Sequence, residues 1–118
     1  MSARILIVDD HPVFRSAARA LLTARGYAVV GEASCTRTAL DAAARLSPDG
    51  VLLDVHLGTD SGVDVARALT RAQPALAVVL VSSDWPEPSP ERLQDCGACG
   101  FVLKSALPVT DLSGFCRH

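Results

Sequence analysis

Four short segments of this 118-residue chain end in side chains that could do chemistry together. Asp54 follows Val51-Leu52-Leu53, and a lone carboxylate among apolar neighbours is costly to bury unless a cation or hydrogen bonds meet it. Asp9-Asp10 follow Ile5-Leu6-Ile7-Val8, Ser82 follows Ala77–Val81, and Lys104 follows Phe101-Val102-Leu103. Ten of the eleven basic residues are arginine, so Lys104 is the chain's single lysine. A sequence that uses arginine for every other positive charge keeps one lysine where a compact ammonium is needed in place of a planar fork. Apolar runs that each terminate in charge read as one site, built at one edge of a parallel sheet.

The elements that must position these groups follow from periodicity. Arg4 to Val8 is a strand. Pro12 suits a first helical turn, and Val13, Phe14, Ala17, Ala18, Leu21 and Leu22 recur at helical spacing until Gly26. Tyr27 to Ala33 reads as a second strand that frays at Gly31 and Glu32. Ser34 is the expected cap of a helix running through Leu46. The apolar run Val51–Leu57, bounded by Pro48-Asp49-Gly50 and Gly58, is a buried third strand. A third helix carries Val63, Ala66 and Leu69 inward and ends before Pro74; Ala77 to Val81 is the fourth strand. Pro86, Pro88 and Pro90 delay the fourth helix to about Pro90 and Gly97 ends it, which leaves about two turns. Phe101 to Leu103 is the fifth strand, and a last short helix is expected from about Pro108.

Strands alternating with helices specify an α/β fold with a doubly wound, five-stranded parallel sheet of flavodoxin-like order 2-1-3-4-5 and a shortened fourth helix. In such sheets ligands sit at the carboxyl ends of the strands, where Asp9, Asp10, Asp54, Ser82 and Lys104 all fall. The length suits one domain over residues 1–118, burying roughly two-thirds of its unfolded surface. A net charge of −2 without a basic stripe speaks against nucleic-acid binding by this domain. No membrane-spanning run or signal-peptide pattern is evident, so a cytoplasmic location with reduced cysteines is expected.

The chain resembles the receiver domain of two-component response regulators over nearly its whole length. The resemblance is carried by Asp9-Asp10-His11-Pro12, by Val51-Leu52-Leu53-Asp54, by Ser61-Gly62, by Val81-Ser82 and by Gly97 to Ser105 with its lysine. The wording is closest to the branch that usually carries a LuxR-type DNA-binding domain, a domain not expected within these 118 residues.

The resemblance implies that Asp54 accepts a phosphoryl group from a sensor histidine kinase. It implies a Mg²⁺ site from Asp10, Asp54 and the backbone carbonyl of His56, with Asp9 acting through water. Lys104 would pair with Asp54 at rest, Ser82 would bond a phosphoryl oxygen, and Phe101 would turn inward as Ser82 moves. His56 and Asp84 would tune hydrolysis of the acyl phosphate. A homodimer would use the face of helix 4, strand 5 and helix 5. The only catalysis expected is of the domain's own phosphorylation and dephosphorylation.

Two departures from the family pattern concern turns: Gly58 and Ser105 replace common prolines. His11 is expected as the polar start of a helix in preference to a ligand, and Trp85 offers a fluorescence reporter. Cys96-Gly97-Ala98-Cys99 ends a helix, where a redox thiolate finds no support. With Cys116 and His118 it supplies four zinc-type donors, although reduced thiols are the default. Two other functional classes fit less well: a pseudo-receiver that no longer turns over phosphate, and an aspartyl-nucleophile phosphatase, for which the D-x-D spacing and a cap are lacking.

Overall fold

The computed structural model describes residues 3–83, 89–110 and 112. The chain forms β1 (Arg4–Val8), α1 (Pro12–Ala24), β2 (Ala28–Ala33), α2 (Thr36–Leu46), β3 (Gly50–Asp54), β4 (His56–Leu57), β5 (Asp60–Ser61), α3 (Gly62–Ala72), β6 (Ala77–Ser82), α4 (Pro90–Cys96) and β7 (Ala98–Leu103). A 3₁₀ turn over Lys104–Val109 follows. Five strands make one parallel sheet in the order β2-β1-β3-β6-β7, which is the expected 2-1-3-4-5 winding.

The two sheet faces bury separate cores. Leu6, Val8, Leu53 and Leu80 point toward α2, α3 and α4, while Ile5, Ile7, Leu52 and Val81 meet α1 and Leu107. This alternation is the period-two side-chain pattern of a strand covered on both faces. Every residue of β3 and β6 is buried, as central strands of such a sheet must be.

Four elements differ from the sequence expectation. First, β3 stops at Asp54, and His56–Leu57 turns away to pair antiparallel with Asp60–Ser61. An apolar run cannot show that break, because Leu57 is buried whether it lies in the sheet or in the hairpin. Second, β2 does not fray. Its pairing with β1 is maintained to Ala33 through a bulge at Val30, and a Cβ at Gly31 would lie 2.8 Å from Leu46 Cδ1. Gly31 therefore lets α2 pack closely. Third, β7 begins at Ala98, with Ala98 and Gly100 opposite Val78 and Val79, so Cys99 is the bulged residue. Fourth, among the described residues no α-helix begins at Pro108, and most of the rest of the expected last helix (111 and 113–118) lies outside them. The 3₁₀ turn covers Pro108, and Thr110 is extended at φ −89° and ψ 139°. The cap of α2 is Cys35, one residue beyond Ser34, with its N–H donating to Thr38 Oγ1 at 3.3 Å.

The short α4 is as expected. Ser89 caps it through the Arg92 N–H, and Gly97 ends it at φ +83°, a left-handed conformation open to glycine.

Candidate functional site

The site lies at the carboxyl rim of the sheet, where β1, β3 and β7 each release a charged side chain. Asp9 follows β1 and is completely buried. Its N–H donates to Ala33 O at 3.0 Å, and its Oδ1 accepts the His11 N–H at 2.8 Å. That local turn folds His11 back over the rim, a common use of an aspartate that precedes a helix. Arg15 Nη1 donates to Asp9 O at 2.7 Å while its Nε holds Glu32.

Asp10 is one-third exposed, and its Oδ2 accepts the Gly58 N–H at 3.1 Å. Gly58 has φ +63°. A proline there would have neither this conformation nor an N–H to give. The departure at Gly58 is thus tied to Asp10.

Asp54 ends β3 and is 3% exposed. Its Oδ1 accepts the His56 N–H at 3.1 Å, and its Oδ2 faces Lys104 Nζ at 3.4 Å. Burial pushes the Asp54 carboxyl above the ordinary carboxylate range; the Asp9 charge adds to this, while the His56 N–H and Lys104 oppose it. The backbone behind Asp54 is pressed by the start of α3. A Cβ on Gly62 would lie 2.1 Å from Asp54 O, and the Gly62 N–H donates to Val55 O at 2.6 Å.

Lys104 reaches across from the end of β7. Its Nζ is 2.7 Å from Asp9 Oδ2, closer than to Asp54, and 4.3 Å from the centre of the Phe14 ring. The expected resting pair with Asp54 is therefore the longer of two. Asp9 is the more buried acid and has the greater need of a counter-charge. Ser82 is 3% exposed at the end of β6, opposite Leu103 and one residue past the level of Asp54. Phe101 is half-buried opposite Leu80 and packs on the face covered by α2, α3 and α4. His56 is exposed on the hairpin and contributes its backbone N–H to Asp54.

Cys96 is buried, its Sγ 3.4 Å from Leu93 O, whereas Cys99 is exposed. Asp84, Trp85, Cys116 and His118 lie outside the described residues.

The sequence reading missed His11 as part of the site. Its Nδ1 is 2.9 Å from Asp9 Oδ1, 3.1 Å from Asp10 Oδ1 and 3.8 Å from Asp54 Oδ2. The available signal was its place directly after two acids, where an aspartate turn brings the ring back. Phe14 shows in the sequence only as part of the helical repeat of α1, and its position over Lys104 has no signal in the pattern.

The donor set fits a hard divalent cation. One atom each from Asp9, Asp10, His11 and Asp54 lie within 4.8 Å of one another. Asp9 Oδ2 and Asp10 Oδ1 are buried and accept no hydrogen bond among the described residues. Among the described residues, Lys104 Nζ lies 2.7 Å from Asp9 Oδ2 and His11 Nδ1 lies 3.1 Å from Asp10 Oδ1. Carboxylate oxygens left in this condition suit Mg²⁺, which binds through a few carboxylates and keeps several waters.

Comparison with known proteins bears on the family. The chain is 39% identical over 104 residues to the response regulator GacA of Pseudomonas aeruginosa, covering 87% of this chain and 49% of that protein. It spans about half the length of the curated relatives it matches. A LuxR-family two-component response regulator from Aurantimonas sp. SI85-9A1 superposes with a TM-score of 0.85 at 32% identity, covering 92% of this chain and 79% of the other. The signal receiver domain described for NarL of Mycobacterium tuberculosis superposes at 0.77 with 30% identity, over 99% and 98% of the two chains. With residues 5–111 matched by the response regulator receiver domain, the chain belongs to the receiver family of two-component signalling.

Proposed function

We propose that residues 1–118 act as one phosphoacceptor receiver domain in which Asp54 takes a phosphoryl group from a phosphohistidine of a sensor histidine kinase. The observation that carries this reading is the convergence of Asp9, Asp10, Asp54 and Lys104 on one rim, with Asp54 buried at its centre. In the transfer, an Asp54 carboxylate oxygen forms the bond to phosphorus, the P–N bond breaks, and the imidazole leaves. Such chemistry needs positioning and charge neutralisation above all. Asp10, Asp54 and the His56 carbonyl would hold Mg²⁺, with Asp9 through water, and the ion would neutralise charge on the transferring group.

The chain's own groups do the rest. The His56 N–H, donating to Oδ1, fixes the direction of the Asp54 carboxylate. Lys104, held between Asp9 and Asp54, needs only a small shift to meet a phosphoryl oxygen. Ser82 at the adjacent strand end is the second group for that oxygen set. Its movement would free space for Phe101, giving two core packings biased by a local charge event. His56 and Asp84 are the residues to tune hydrolysis.

Intact-mass analysis after treatment with a small-molecule phosphodonor tests this. One phosphoryl group should add to the parent only with Mg²⁺ present, and none to Asp54→Asn. No addition to the parent would favour a pseudo-receiver, and steady turnover of external phosphate esters would favour a phosphatase.

A further inference from the structure

Lys104 is steered by an aromatic ring as well as by acids. An ammonium offers three N–H donors. Nζ meets Asp9 Oδ2 at 2.7 Å and Asp54 Oδ2 at 3.4 Å, and a third side of it faces the ring of Phe14, 4.3 Å from the ring centre. A cation within about 6 Å of a ring centre is attracted by the electron-rich face, more strongly where water is excluded. The Lys104 side chain is only 14% exposed, and Phe14 is half-buried against the core beside α1. The start of α1 brings the ring there. The Asp9 turn takes the His11 N–H, Pro12 opens the helix, and Phe14 lies three residues past His11 on the same side of the first turn. Asp9 thus places both the ammonium and the ring. Beside them lies open space: a groove of about 470 Å³ between α1 and the 3₁₀ turn, lined by Phe14, Lys104, Ala17, Leu21, Leu107 and Pro108 among others.

We propose that Phe14 is a positioning residue for phosphoryl transfer, its ring face keeping the Lys104 ammonium on the rim as it passes from Asp9 to a phosphoryl oxygen. The inference rests on the phosphoacceptor reading of Asp54. A ring face attracts a cation over its whole area, so the ammonium keeps this contact along the short path. A hydrogen-bond acceptor in the same place would favour one direction and resist the movement. Without the ring, the lysine stem is free to turn into the groove and carry its charge away from the reacting atoms. Such a misplacement costs rate, because the transfer depends on charge already held in position.

Two readouts test the proposal. The first is the rate of labelling by a small-molecule phosphodonor with Mg²⁺, for the parent, Phe14→Leu, Phe14→Tyr and chains whose Phe14 ring bears one, two or three fluorines. Fluorine withdraws charge from the ring face and barely changes its shape, so a packing role alone would leave that series flat. The rate should fall stepwise with each fluorine and about fivefold in Phe14→Leu, and stay within about twofold in Phe14→Tyr, which keeps the face. The second readout is nuclear magnetic resonance of the metal-free protein carrying ¹³C-labelled lysine. Lys104 is the single lysine, so its ε-methylene gives one assignable signal. That signal should be shifted upfield by the ring in the parent and in Phe14→Tyr, and return to the ordinary position in Phe14→Leu. A labelled parent with a flat fluorine series, or with no upfield shift, overturns the role of Phe14 alone. A parent that takes no label overturns the receiver reading, and the role of Phe14 in transfer falls with it.

Discussion

Replacing Asp54 by Asn should stabilise the metal-free protein, although it removes the proposed phosphoacceptor. At an effective dielectric of about 20, losing the Lys104 attraction at 3.4 Å costs roughly 5 kcal/mol. Relief of repulsion from Asp9, within 4.8 Å, returns roughly 3.5 kcal/mol, and Asp10 returns less because it is one-third exposed and screened. These pairwise effects nearly cancel, so desolvation decides the sign. A charge at 3% exposure carries a penalty of several kcal/mol, which the amide does not.

A net gain of about 2 kcal/mol is expected, raising the melting temperature by about 8 °C at this chain length. Thermal unfolding with a chelator, monitored by circular dichroism, measures it. The gain must depend on pH in one direction. Burial raises the Asp54 carboxyl, so the folded parent binds that proton more tightly than the unfolded chain does. The stability it contributes is present below the ordinary carboxylate range and is lost as pH rises through the raised value. Parent and variant should therefore converge in acid and separate toward neutrality. Mg²⁺ should close the neutral gap, since an ion at a hundred times its Kd stabilises the parent by about 2.7 kcal/mol. A variant that melts at or below the parent in chelator at pH 7 would refute the reasoning.

The opposite sign is expected at Lys104. Lys104→Met leaves Asp9 buried without its 2.7 Å counter-charge and should cost about 3 kcal/mol in urea unfolding, with Mg²⁺ restoring part of the loss. Gly62→Ala drives a methyl group into the Asp54 backbone and should cost about 2–3 kcal/mol, with slower labelling by a phosphodonor in the fraction that folds.

Much of the site was legible because each strand announced its end. Ile5–Val8, Val51–Leu53 and Phe101–Leu103 are apolar runs that close on Asp9, Asp54 and Lys104, and parallel winding then brings those ends to one rim. Pro12 and Gly26 bracketed α1 closely for the same reason, since both act through backbone geometry alone. The start of β7 was hidden, because Ala98, Cys99 and Gly100 have weak strand preference and are held by pairing with β6. The hairpin after Asp54 was hidden by Leu57, whose burial imitates a continuing strand. His11 and the choice of Asp9 over Asp54 by Lys104 depend on where side chains converge, which no periodicity encodes.

The Gly58 amide on Asp10 has a wider consequence. Asp10 is tied to the β4–β5 hairpin, and Asp60 on that hairpin accepts the Thr36 hydroxyl at 2.6 Å, so one chain of contacts runs from Asp10, a proposed ligand for the ion, to the head of α2. Much of the entropy that capturing an ion would otherwise require has therefore already been spent when the polypeptide acquires its native form. Maturation and readiness to receive a signal are thus one event, and a lesion anywhere along that thread would weaken both together.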